Sequence, residues 1–446
     1  MADGACSRRG TAGRQLDLRR ARHPPRRAGS LQPAGGRKCV GLGDRRRLRD
    51  LVLRPVRPDL RRRPQARRTD AAGRRRLGHG LSGRSGHGRS DRDPALGLLC
   101  RRVLPAPRPQ RTDSRFKGGQ GAMKRWLPPE TINRLAADPE RRTPESLSPA
   151  VDVRRPFVPE HYTQLYFTPV YASLHFEHRL RYNQLFACRL NEYIMMLEAD
   201  LVDRLLEPLT RHPAVRGDGD LVTAIRTMIA EEGLHYRNFA ALNRACRPDL
   251  YPEGRDRLFS VLPLATRTLF GVAGLLASRL AFSLWYVMAI EESSMALAKD
   301  MMKSRQTETL GDLDPGFCEV HIQHMKDEAR HVQIDGMLVD LCIGSQSAAR
   351  RRLNAAIFTR MLTGVVTPTR GGSGIKVIRQ LVRDMPELQD REEEMIRAVL
   401  ALRHDRAFQE SLFNRQIMPV TFGVFDATAE LDGLSKTMVG YDRRAG

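Results

Sequence analysis

Residues 324–331 read His-Met-Lys-Asp-Glu-Ala-Arg-His, and residues 232–235 read Glu-Gly-Leu-His. Residues three apart on a helix share a face. Glu232 with His235, and Glu328 with His331, therefore each present one carboxylate and one imidazole in the same direction. His324 stands four residues before Glu328 and seven before His331, and at about 100° per residue these three point within a narrow arc. A lone Glu-x-x-His arises often on helix surfaces. Two on separate helices, each following a helix with a glutamate on its apolar face, match the donor set of di-iron and di-manganese carboxylate bundles.

Working outward, the spacing predicts four long helices. The first covers about 178–207, with Phe186, Leu190, Tyr193, Leu197, Leu201 and Leu205 three or four apart. Pro208 is expected to stop it, because the residue before a proline is pushed out of the helical region. The others cover about 218–246, 266–303 and 315–342, followed by further helices near 348–362 and 387–413. Gly371 to Gly374 read as a loop. Alternating strand patterns are missing. The expectation is an all-α, ferritin-like four-helix bundle with extra C-terminal helices over residues 178–446. Residues 123–177 are rich in proline, with Tyr162, Tyr166, Phe167 and Tyr171 interleaved. They read as an irregular arm that wraps onto the bundle.

Buried acids on apolar faces need a cation or hydrogen bonds to offset their desolvation. On the first helix, Glu198 shares its face with Ile194, Leu201 and Leu205, whereas Glu192 neighbours Arg189 and reads as solvated. On the third, Glu291 and Glu292 are adjacent, and both lie among apolar residues. The metal set is therefore Glu198, Glu232, His235, Glu291, His324, Glu328 and His331, with Glu292 as the alternative to Glu291. His321 reads as a core histidine, and Arg330 as facing outward. Carboxylates bridge hard ions and imidazole suits iron, manganese or zinc, so two iron ions are expected, with manganese also compatible.

The composition bears on partners. The chain has 446 residues, 75 Lys+Arg and 51 Asp+Glu, for a formal charge of +24. Residues 1–122 hold 33 of those cations, nine Asp and no Glu, which leaves 42 cations and 42 acids in the remainder. The basicity thus belongs to the first segment and gives the bundle no nucleic-acid footprint. That Arg-rich segment shows no period able to bury a face and is expected not to fold. A basic arm and an organelle transit peptide are the competing readings. Nearly pure arginine usage without glutamate points instead to mistranslated GC-rich sequence, with Met123 as the natural start. The seven cysteines form no Cys-x-x-Cys pair, which suits reduced thiols in the cytoplasm. The apolar stretch 268–298 carries Arg279, Glu291 and Glu292, so it reads as a buried helix and no membrane span is expected.

The run Asn191-Glu192 to Glu198, then Glu232-Gly-Leu-His235, then His324-Met-Lys-Asp-Glu328-Ala-Arg-His331 resembles the AurF-type N-oxygenases over about residues 160–345. Those are di-iron enzymes that oxidise the amine of para-aminobenzoate and related arylamines. The added histidine is the most specific feature of the likeness. The resemblance implies Glu198, Glu232, His235, His324, Glu328, His331 and Glu291 or Glu292 as iron ligands. It also implies a small-molecule amine substrate, O2, an external electron donor, a homodimer and a cytoplasmic location. The amine would be oxidised to hydroxylamine, nitroso or nitro. Two other functions fit the residues: a di-iron C–H hydroxylase or desaturase of an apolar substrate, and a ferritin-like iron-binding protein that is not an oxygenase. Arg226, Arg279 and Arg330 are the cations on the relevant helices that a carboxylated substrate would need.

Overall fold

The computed structural model describes residues 125–261 and 280–441, together with 268 and 272. The expectation for residues 1–122 lies outside them. The fold is all-α and ferritin-like. Among the described residues the one strand-type contact is an isolated bridge between Gln306 and Asp312.

From residue 125, the proline-rich segment includes two helices where irregular chain was expected: α1 (Pro129–Ala137) and the short α2 (Pro169–Ala172). Each has proline at its start, where the missing N–H costs nothing. Elsewhere the arm is irregular apart from three short 3-10 turns, and bundle side chains supply partners its backbone lacks. Asn183 accepts from Phe157 N (2.8 Å) and donates to Val158 O (2.7 Å). Gln184 donates to Val153 O (2.6 Å), and Asp314 accepts from Asp152 N (2.8 Å). The arm thus runs across the helices whose side chains hold it.

The bundle comprises α3 (Phe176–Leu197), extended by a π-helical turn Glu198–Val202 and α4 (Asp203–Leu209); α5 (Gly219–Cys246); α6 (Phe282–Lys303); and α7 (Pro315–Leu338), extended by a second π-helical turn, Val339–Ile343. Side-chain caps set two starts: Asp218 accepts from Leu221 N, and Asp314 from Phe317 N. Pro208 does not stop the first helix. It sits inside α4, which ends one residue later at Leu209. Every residue from Phe282 to Glu292 on α6 is buried, as expected for a helix that is apolar all round. The predicted start of this helix, near 266, lies largely outside the described residues.

Beyond the bundle come α8 (Ala348–Val366), α9 (Ser373–Asp384), α10 (Glu392–Ala401), α11 (Arg406–Leu412) and α12 (Pro419–Asp426). α9 and α12 were not foreseen, and the predicted helix 387–413 is broken into α10, α11 and short 3-10 turns. α9 begins inside the run read as a glycine loop. It buries Ile375, Val377, Ile378 and Leu381 in one of two apolar clusters that form the core. On α5, Met228 belongs to one cluster and Phe239 to the other; on α7, Val332 and Val320 divide the same way. The interval between them on each helix holds the two Glu-x-x-His motifs. The apolar core is interrupted there by a belt of acids and histidines.

Candidate metal centre

All seven predicted residues are buried: Glu291 is 7% exposed and the other six 4% or less. They come from all four bundle elements. Glu198 opens the π-helical turn after α3; such turns recur at functional sites. Two groups form around His235. In one, Glu232, His235, Glu328 and His331 approach one another; in the other, Glu198, His235 and His324 do so. Nδ1 of His331 lies 2.8 Å from Glu232 Oε1 and 3.6 Å from Glu328 Oε1. Nδ1 of His235 lies 3.4 Å from the same Glu328 oxygen. Nε2 of His324 lies 2.8 Å from that oxygen and 3.5 Å from Glu198 Oε1. His324 thus stands among the carboxylates that the Glu-x-x-His motifs supply.

Glu291 and Glu292 separate cleanly. Glu291 lines the cavity bordered by Glu198, Glu232, His324 and Glu328. The Glu292 carboxylate instead accepts from the backbone N–H groups of Val420 (2.9 Å) and Thr421 (2.7 Å), at the start of α12.

The donor atoms themselves test whether a metal fits. Glu198 Oε1 and Oε2, Glu232 Oε1, His235 Nδ1, Glu291 Oε1 and Oε2, His324 Nε2, Glu328 Oε2 and His331 Nδ1 are all buried and make no well-directed hydrogen bond. Each of the seven residues supplies at least one such atom, and each atom left this way carries a desolvation penalty of about 1–3 kcal/mol or more. Carboxylate oxygens and imidazole nitrogens converging without protein donors are the ligand chemistry of iron, so the residues fit a pair of such ions.

The opposite edges of two imidazoles are held in a crossed pattern. Asp327 on α7 accepts from His235 Nε2 on α5 at 2.8 Å, and Glu231 on α5 accepts from His331 Nε2 on α7 at 2.9 Å. Arg330 joins these two acids, 2.5 Å from Glu231 Oε1 and 2.6 Å from Asp327 Oδ1. It is 4% exposed and does not face outward as expected. The acid immediately before each Glu-x-x-His, in Glu231-Glu232 and Asp327-Glu328, was the overlooked signal. It reaches across to the other motif's histidine. In this crowd burial pushes the Glu198 carboxyl up to about 7. Burial alone would lower His235, yet Asp327 and Glu232 raise it to about 10.

His321 is a core histidine as expected: Asn191 Oδ1 lies 3.0 Å from its Nε2, and burial with the nearby His324 pushes it down to about 3. Glu192 is not solvated. It is fully buried and accepts from Tyr251 OH (2.7 Å) and from the N–H groups of Leu258 (2.8 Å), Phe259 (2.6 Å) and Ser260 (2.6 Å). Arg226 is exposed, and Arg279 lies outside the described residues. The cavity is apolar where it leaves the acids, between Ile194, Leu197 and Val202 on one side and Val287 and Ile290 on the other.

A family model described as P-aminobenzoate N-oxygenase AurF matches residues 129–415, well over half of the chain. A comparison with curated proteins finds no match. The chain belongs to the P-aminobenzoate N-oxygenase AurF family, a family of di-iron oxygenases.

Proposed function

We propose that this member of the family is a di-iron oxygenase that oxidises the nitrogen of a small amine of the arylamine type. The ligands are Glu198, Glu232, His235, Glu291, His324, Glu328 and His331. Bound iron would supply the activation of O2. The first oxidation balances as amine plus O2, two electrons and two protons giving hydroxylamine and water, so it needs an external electron donor. Further oxidation leads to the nitroso and nitro levels. We also propose a homodimer working in the cytoplasm. No helix among the described residues is long and apolar enough to cross a membrane.

The observation that carries this reading is His324. Its Nε2 is buried and points among the carboxylates of the two motifs, 2.8 Å from Glu328 Oε1, giving three imidazoles where the common carboxylate bundles use two. Asp327, Glu231 and Arg330 hold two of those imidazoles in register. Ile194, Leu197, Val287 and Ile290 give the small cavity beside the acids apolar walls that keep water from the reacting end. The same walls support a second reading, oxidation of an apolar C–H bond.

The test is turnover of the iron-loaded full chain with a chemical reductant and O2, offered arylamines and apolar hydrocarbon substrates side by side. Products bearing N-bound oxygen, lost in His324→Ala, support the proposal. Oxygen found only on carbon would overturn it in favour of C–H chemistry.

A further inference from the structure

The fold treats its buried acids in two ways. Glu160 accepts from Tyr171 OH, Thr309 N and Thr309 Oγ1. Glu192 has four donors, Glu292 two backbone amides, and Asp327 the side chains of His235 and Arg330 with Thr143 N. These are structural acids whose charge the protein itself offsets. Among the described residues, three acids are buried with neither carboxylate oxygen partnered: Glu198, Glu291 and Asp335. The first two belong to the metal centre.

Asp335 was singled out neither by its spacing nor by the family resemblance. It is 0% exposed. It lies four residues after His331 and seven after Glu328, so it continues the stripe His324, Glu328, His331 by one more turn of α7. Its carboxyl faces that of Glu291 on α6, and its other charged neighbours are His331, Glu232 and Glu328. Two facing carboxyl groups in a dry interior need a shared proton or a cation between or beside them; neither of these has another donor, and a bound cation would take the proton's place.

We propose that Asp335 is a further metal-binding acid of this centre, acting with Glu291 on the ion that Glu232, Glu328 and His331 hold. The inference rests on the di-metal reading above. It would make the pair unequal, with the surplus of acids on the ion beside His331.

The test uses the full chain loaded anaerobically with ferrous iron, comparing the natural protein, Asp335→Asn and Glu292→Gln. Affinity is read by competition with a chelator, and the two iron environments by Mössbauer spectroscopy. Asp335→Asn should weaken one of the two equivalents by roughly tenfold or more. It should change one quadrupole doublet and leave the other in place, while Glu292→Gln keeps both. Without metal, Asp335→Asn should melt no lower than the natural protein, since the amide can still hydrogen-bond Glu291 and carries no buried charge. Unchanged affinity and spectra would overturn the proposal. So would an Asp335→Asn chain that fails to fold, because that assigns the acid a structural role. If the natural protein itself binds no iron, the di-metal reading fails; if natural and variant chains both bind two irons alike, only this inference fails.

Discussion

Asp327 shows what a single side chain does for the site. It fixes the Nε2 edge of His235 while Arg330 and the backbone N–H of Thr143 (3.1 Å) fix Asp327. An asparagine there keeps the volume and loses the charge that orients the imidazole. Asp327→Asn should therefore weaken iron binding by about 10–100-fold. Chelator competition on the purified variant checks this, and an affinity equal to that of the natural chain would show that the acid does not position the ligand. Five of the candidate ligands, Glu232, His235, His324, Glu328 and His331, were legible as one cluster because a helix converts three- and four-residue intervals into a common direction, whereas spacing left Glu291 and Glu292 open. Glu231, Asp327 and Arg330 were harder to read, because their partners lie on another helix. Glu192 was misread for the same reason. Its donors come from residues 251–260, which spacing along its own helix does not reveal.

Helices and their junctions carry a second set of consequences. α7 packs against the arm through Gly336, where a Cβ would stand 2.3 Å from the Trp126 ring carbons Cη2 and Cζ2. The same indole donates to Asp340 Oδ2 at 2.7 Å. Gly336→Ala should displace Trp126 and lower stability by about 1–3 kcal/mol. A shift of the denaturation midpoint with a red-shifted tryptophan emission is the expected result, and an unmoved midpoint would contradict the packing. The turn Glu160–Tyr162 is tied to α6 and to the segment after it through His161, 3.8 Å from Asp300 on α6 and 2.7 Å from Glu308 beyond it. Burial opposes charge on this imidazole, but the two acids raise its pKa above the usual value. A raised pKa contributes stability that is fully present below the unfolded value of about 6.5 and is lost as pH rises through the folded one. The group is part exposed, so the effect is at most about 1 kcal/mol. His161→Gln should lower Tm more near pH 5 than near pH 8.5, and an equal deficit at both would argue against the ion pair. The long helices were predicted well because their periodicity runs for many turns. The short ones were missed because α9 and α12 are fixed by what they pack on, and the glycine run before α9 masked its start. Pro208 falls in the last turn of α4, where the helix is ending in any case.

At the scale of the whole molecule, a strongly basic sequence conceals a charge-balanced bundle: residues after position 122 carry equal numbers of acids and cations. That bundle keeps two apolar clusters and sets acids and histidines between them, at a desolvation cost that bound metal would offset. The all-α class followed directly from the periodicity. The apolar walls beside the acids could not be read in advance, because they form only where α3 and α6 meet. A centre for two ions in one chain is tested most directly by counting iron. The full chain should be loaded anaerobically with ferrous iron, freed of excess and assayed for metal per folded chain. Two irons per chain is the predicted result; none, or one that a second equivalent cannot join, would contradict it.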